Sequence, residues 1–332
     1  METFGQALRR WREIAGLSQP ELARRVPVSQ ASVSRWESGK QSVDSTTARQ
    51  LDDILGANGE LRTQHQSTNP ATILSPDDHG RITRITEKPR TIDRRGLDSL
   101  AAVLAEYRRM EDTLGTDTVF DPTRAHLRLM HRVVLDARGP LRPAIVDLAA
   151  QWAQFAGWLH AANNHHDAAN GLFSRALEFA IESDNTTLQA NALSHKGHVA
   201  WILGQVGPMM GLSQAAQRSP NVHISQRAFD AMQEARAHAL AGDANTAHRM
   251  LDTAEERINE IQSTSSEPPP WSYYYSSAFW TLQRGLVHQH LGDNTPAADL
   301  LQSGLESLPE DQQSAEWTGD YRKALATAQA AL

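Results

Sequence analysis

The chain has 332 residues and a mass of 36.7 kDa, which predicts about two domains. Its hydrophobic fraction of 40%, mean hydropathy of −0.50 and net charge of −7 predict a soluble chain with ample core, and no apolar run approaches the 20 or so residues of a membrane span. It has no cysteine, which excludes disulfide scaffolds, Cys-based zinc fingers, iron–sulfur clusters and thiol catalysis. The opening METFGQALRRWREIAG has no apolar core ahead of a small-residue cleavage site, so no secretion signal is expected and cytoplasmic residence is. Charge is uneven: residues 9–40 carry a net +4 and residues 96–332 a net −10, so a polyanion would favour the front.

Residues 1–62 read as a compact domain of four to five helices. Phe4, Leu8, Trp11 and Ala15 recur at helical spacing and Gly16 closes the first helix. Ser18, Pro20 and Glu21 form the capping-box pattern that opens the second, whose inner face is Leu22, Ala23 and Val26. Ser29 caps a third helix through Val33 and Trp36 to Gly39. Residues 45–55 make a fourth, closed by Gly56. Trp11 and Trp36 are expected in the core.

Residues 63–95 change character. Polar residues and three prolines leave no apolar period, which predicts a flexible linker at least as far as Gly80. Its end is basic, with Arg81, Arg84, Lys88, Arg90, Arg94 and Arg95 forming either a solvated tether or a track for DNA phosphates. From 96 to 332 the expectation is helix throughout. Leu97, Leu100, Ala101 and Leu104 open a long segment, and the helices of 97–136 would serve as a dimer interface or as a cap on the apolar end of a solenoid. Turns then recur near 163–167, 184–186, 204–207, 241–244 and 291–295. The echo of Ala241-Gly242-Asp243 in Leu291-Gly292-Asp293 predicts stacked helical hairpins. The fold class is therefore all-α: a helix-turn-helix head, a linker and a helical-hairpin solenoid.

The strongest signal is LSQPELARRVPVSQASVSRWESGK, residues 17–40. A short helix, a turn and a second helix opening on small polar side chains suit entry into a major groove about 12 Å wide. Gln30 can bond a base edge bidentately, Ala31 leaves room for a thymine methyl, and the Arg35 fork matches guanine O6 and N7. Gln19, Ser29, Ser32 and Lys40 are placed to hold phosphates. Leu17-Ser18-Gln19, Glu21-Leu22-Ala23, Val28-Ser29, Val33-Ser34-Arg35-Trp36-Glu37 and Gly39-Lys40 resemble the Cro/repressor-type (Xre-like) helix-turn-helix. The resemblance implies base reading by Gln30, Ala31 and Arg35, phosphate contacts by Gln19, Ser29 and Lys40, and a buried ion pair between Arg12 and Glu37. The family usually has glycine in the turn. Pro27 stands there, which implies another turn shape or a different tilt of the recognition helix.

The segments 102–115, 124–134, 148–162 and 168–185 resemble a group of bacterial regulators in which such a head is joined to a tetratricopeptide sensor. That implies a transcription regulator, usually a homodimer on an inverted-repeat operator, whose repeats receive a peptide, small-molecule or protein signal. The alternatives are a repeat-based protein-interaction regulator with no small effector, or a metal-dependent sensor or enzyme using histidines. His160, His165, His166, Asp167, His195 and His198 could supply ligands, but there is no HExxH and the spacing is loose, so no metal site is expected. No phosphate loop, nucleophile elbow or dinucleotide fingerprint occurs, so neither an enzyme nor a cofactor is expected. Taking the first helix of each hairpin as the concave face, Asn191, His195, Arg236 and Arg284 are the ligand-contact candidates. Trp271, Tyr273, Tyr274, Tyr275, Phe279 and Trp280 form an aromatic cluster that reads as the core of an enlarged hairpin or as a binding patch.

Overall fold

The computed structural model describes residues 4–26, 28–38, 43, 45–57, 59–61, 76–261, 267–313 and 315–332. All regular structure among them is helical, in two compact units, Met1–Ser75 and Pro76–Leu332.

The first unit contains α1 (Phe4–Ile14), α2 (Gln19–Arg25), α3 (Gln30–Glu37) and α4 (Ser45–Leu55). Leu8, Leu22, Val33, Trp36, Leu51 and Leu61 converge in one core, with Trp11 packed at its edge. The capping box forms: the Ser18 N–H donates to Glu21 Oε2 at 2.8 Å and Ser18 Oγ accepts the Glu21 N–H. Gly5 sets how closely α1 crosses the end of α3, since a Cβ there would lie 2.5 Å from the Trp36 carbonyl oxygen. Asp52 accepts the N–H groups of Gly59 and Leu61 at 2.8 and 2.9 Å, tying the chain after α4 back onto it.

The second unit begins earlier than the sequence predicts. Residues 76–95 are not a flexible linker: α5 (Pro76–Glu87) and a 3-10 turn at Pro89–Thr91 lead directly into α6 (Arg94–Leu114). The reason is non-local. Ile85 is buried against Gly96, where a Cβ would fall 2.5 Å from its Cδ1, and Ser99 Oγ donates to Asp78 at 2.7 Å. The basic residues of this stretch are partly engaged, Arg81 with Asp93, Arg90 with Asp136 and Arg94 with Asp98. Residues 63–75, the first part of the expected linker, lie outside the described residues.

After α6 come α7 (Thr116–Asp136) and then α8 (Arg142–Ala162), α9 (His166–Glu182), α10 (Thr186–Ile202), α11 (Val206–Ala216), α12 (Ile224–Leu240), α13 (Ala244–Ile261), α14 (Ser277–Leu291), α15 (Asn294–Glu306), the single turn α16 (Glu310–Gln313) and α17 (Gly319–Ala330). Each helix of the pairs α8/α9, α10/α11, α12/α13 and α14/α15 packs on its mate, and α8, α10, α12 and α14 pack in series. This is a solenoid of helical hairpins. One device makes its turns. Asn164, Asp184, Gly204, Gly242 and Gly292 each adopt a left-handed backbone conformation, and the N–H of the next residue closes onto the carbonyl five residues back, as His165 does on His160 at 2.8 Å. That is the Schellman closure, which only glycine, asparagine and aspartate adopt cheaply. The helices approach closely because a glycine on one receives a large side chain from its mate: Phe173 covers Gly157, and Leu301 covers Gly285.

The row of hairpins curls until its ends meet. The Thr116 N–H and Oγ1 both donate to Glu316 Oε2, at 3.3 and 3.2 Å, and Tyr273 donates its hydroxyl to the Arg108 carbonyl at 3.3 Å. α6 and α7 therefore close the solenoid. No helix among the described residues is long and apolar enough to cross a membrane.

Candidate nucleic-acid interface and interior cavity

The helix-turn-helix is braced from beneath. Arg12, on α1, donates Nε to Glu37 Oε1 at 2.5 Å and Nη2 to Oε2 at 3.0 Å, and its Nη1 bonds the Leu17 carbonyl at 2.8 Å. Both side chains are almost fully buried, and the carboxylate raises the guanidinium pKa above its ordinary value. The pair pins α1 and the entry to α2 against the last turn of α3. Glu37 Oε2 also accepts Gln19 Nε2 at 2.9 Å, and Gln19 Oε1 accepts Gln30 Nε2 at 3.4 Å. A chain of bonds thus runs from a buried arginine to the first residue of α3.

On the outer face, Gln30, Ala31 and Arg35 are exposed over the first turn and a half of α3. Ser29 caps the helix by accepting the Ser32 N–H at 3.1 Å, its hydroxyl lies 2.9 Å from that of Ser32, and Arg35 Nη2 reaches Ser32 Oγ at 3.5 Å. Gln19, expected as a phosphate contact, has its amide bonded on both sides, so it orients Gln30 from the second helix. Lys40, Gly39 and Pro27 lie outside the described residues, and with them the question of the turn's shape.

The second unit contains a partly open cavity of about 370 Å³. Its aromatic walls include Trp158, Trp201, Phe229, Trp271, Tyr274 and Phe279. Two arginines line it: Arg108 from α6, 4% exposed, and Arg236 from α12, 2% exposed. Burial lowers each guanidinium pKa to about 10. Arg236 lies 4.2 Å over the Trp201 ring, a cation–π contact. Between them on α10 stand His195 and His198. His195 bonds the Asn191 carbonyl through Nδ1 at 2.9 Å and Gln154 Nε2 through its own Nε2 at 3.1 Å. Gln154 can only donate there, so Nδ1 carries the proton and the ring is neutral. Burial and the nearby arginines push His195 down to about 4 and His198 to about 3. On the opposite charge side, burial raises Glu111 to about 8 and Asp112 to about 7.

Of the four ligand-contact candidates, the structure brings His195 and Arg236 to this cavity and directs the other two elsewhere. Asn191 is buried between hairpins and donates to Gln226 at 3.1 Å; Arg284 pairs with Glu255 on α13 at 2.7 Å. The aromatic cluster divides between core and cavity wall. Tyr275, Phe279, Trp280 and Phe229 stack as core, while Trp271, Tyr273, Tyr274 and Phe279 present a wall to the cavity. Arg108 was legible as an anomaly: Leu97, Leu100, Leu104, Arg108 and Glu111 form one helical stripe, apolar for three members and charged for two. The histidines of the sequence cluster are dispersed. His160 meets the Phe120 ring at a tilt and His165 meets it edge-on, and no group of three His, Asp or Glu converges as a metal site among the described residues.

Residues 3–64 match the family model described as a helix-turn-helix domain. The chain thus carries an N-terminal helix-turn-helix domain, which supports a DNA-binding regulator, ahead of a body whose described regular structure is all helical. No curated protein and no solved structure matches it.

Proposed function

We propose that this protein is a sequence-specific transcription regulator of the Xre-like kind, in which α3 reads bases and a tetratricopeptide-like body dimerises and receives a signal. The observation that carries the reading is the brace Arg12–Glu37–Gln19–Gln30, which fixes a buried carboxylate under one end of α3 and orients a base-reading amide at the other. Gln30 and Arg35 then meet base edges in the major groove while Ser29, Ser32 and Lys40 hold the backbone. Two heads on a dimer would read half-sites about 34 Å apart on an inverted repeat. A signal in the body acts only by binding unequally to dimer states that differ in DNA affinity. The cavity, walled by aromatic side chains and two buried arginines, supports a small effector over a body that merely recruits another protein.

In vitro selection from random duplex DNA tests the head. Wild-type protein enriches an inverted repeat, and Arg35→Ala loses about 1–3 kcal/mol and relaxes selection at one position per half-site. Unchanged selection by that variant removes Arg35 from base reading, and enrichment of single half-sites argues against the dimer.

A further inference from the structure

We propose that the cavity of the second unit is a binding site for a small organic anion, a carboxylate or phosphate on an aromatic or apolar body, whose charged group is held by Arg108 and Arg236. The inference rests on the reading of the body as a signal receiver and names the class of signal.

The argument is an inventory of unmet hydrogen bonds. Buried polar groups are nearly always paired, so buried unpaired ones point to a missing partner. In the cavity wall, Arg108 Nη2, Arg236 Nε and Nη2, Trp271 Nε1 and Trp317 Nε1 are buried donors with no acceptor among the described residues. Only one wall acceptor among those residues, Gln154 Oε1, is in the same condition. Of the wall carboxylates, Glu316 accepts from Thr116, burial raises Glu111 to about 8 and Asp112 to about 7 and so favours their neutral forms, and Asp320 is exposed. The excess of donors asks for a ligand rich in acceptors, and two unpaired guanidinium groups ask for negative charge. An ammonium ligand would find two buried cations opposing it.

The same wall sets the body of the ligand. A 370 Å³ cavity is at the small end of the range for organic ligands, about 300–1,000 Å³, and is too small for a folded partner. Trp158, Trp201 and Phe279 offer flat apolar faces. Neutral His195 and His198 place no further cation beside the anion. Arginine forks match planar carboxylates and phosphates through two parallel bonds, which lysine cannot do.

A charge-matched series tests this on the full-length protein by calorimetric titration. The probes are 3-phenylpropionate, 3-phenylpropionamide and 3-phenylpropylamine, which share a ring and chain and differ in the head group. The acid binds at least tenfold more tightly than the amide, and the amine binds weakest. Arg236→Gln and Arg108→Gln each cost the acid about ten- to hundredfold and leave the amide little changed. Arg236→Gln also loses the contact with Trp201, so the melting temperature of each ligand-free variant is measured and the titration is run well below it. That control separates loss of binding from loss of fold. Equal binding of acid and amide, binding of none of the three, or discrimination that survives in the Arg108→Gln/Arg236→Gln double variant overturns the proposal. Repeating the titration with the selected operator separates the two readings. An acid that binds in this pattern but leaves DNA affinity unchanged keeps the anion site and refutes its role as a signal receiver.

Discussion

Glu37→Gln cuts the brace beneath the recognition helix at one atom group without changing its shape. The carboxylate takes two parallel bonds from Arg12 and a third from Gln19. The amide keeps one acceptor oxygen, turns an NH2 toward groups that can only donate, and leaves the Arg12 charge uncompensated beside the core. Removing one partner of a buried ion pair costs about 3–5 kcal/mol. The pair's side chains are 11% and 6% exposed, so water reaches its edge and the lower figure, about 3 kcal/mol, applies. At 1.4 kcal/mol per decade that is about a hundredfold rise in the open population of the first unit. Hydrogen exchange on the full-length protein reads it directly, as faster exchange of amides in α2 and α3 with unchanged exchange in α8 to α15. The double variant Arg12→Met/Glu37→Met, which removes both charges, recovers most of the loss, because an apolar pair of similar volume carries no desolvation cost. A change below about 1 kcal/mol for Glu37→Gln, or a double variant as unstable as the sum of its singles, refutes the claim that this pair pins α1 to α3.

Other outcomes concern the second unit. Glu111 has a raised pKa in the folded state, about 8, so the native state holds a proton that the unfolded chain has released; stability falls as pH rises from about 4.5 to 8, and Glu111→Gln removes up to about 4 kcal/mol of that fall, measured by thermal melts across the range. Ile85→Ala costs about 2–4 kcal/mol in the local stability of α5 and speeds exchange over 76–91, whereas a flexible segment would show no change. Gly157→Ala drives a methyl to 2.6 Å from the Phe173 ring and destabilises the α8/α9 hairpin by about 1–3 kcal/mol, with no effect on exchange in the first unit.

What the residues announce and what they conceal divides along local and non-local lines. The ends of α1 to α4 were readable because their signals are short-range: Ser18 with Glu21, Gly16 and Gly56 in left-handed conformation, Ser29 on Ser32. The hairpin turns were readable for the same reason. α5 was not, since Ile82 and Ile85 are its only large apolar residues and the helix is held by Gly96 and Ser99 of the next one. The ligand candidates show how far a face rule carries. Placing them on the first helix of each pair selected the helices that line the cavity, and His195 and Arg236 reach it. Asn191 sits on the same helix as His195, one turn earlier, yet it faces α12 instead of the interior. Arg284 turns back to Glu255. Curvature, which no local pattern encodes, decides which turn of a helix looks inward.

Buried polar groups in the second unit fall into two kinds, and the contrast bears on what the cavity is for. Between α10 and α12, Asn191 bonds Gln226, Gln226 bonds Ser194, Ser194 bonds Asp230, and Gln233 bonds both the Ser194 carbonyl and Ser213 Oγ. Burial raises Asp230 well above the ordinary carboxylate range, which favours its uncharged form within this network. Here the fold meets burial by neutrality and mutual bonding, with Asn191 Oδ1 and Gln233 Oε1 left without a partner among the described residues, and register between hairpins is the gain. Two turns away on α12, Arg236 stays cationic at neutral pH, stacks on Trp201 and leaves two N–H groups without acceptors among the described residues. Arg108 repeats the pattern from α6, on the far side of the ring closure. A methionine at either place would fill the wall without the desolvation penalty of a guanidinium. Packing alone therefore does not account for either arginine. Each is better explained by a partner that arrives from outside the chain, carries negative charge, and finds both donors on the wall of one cavity.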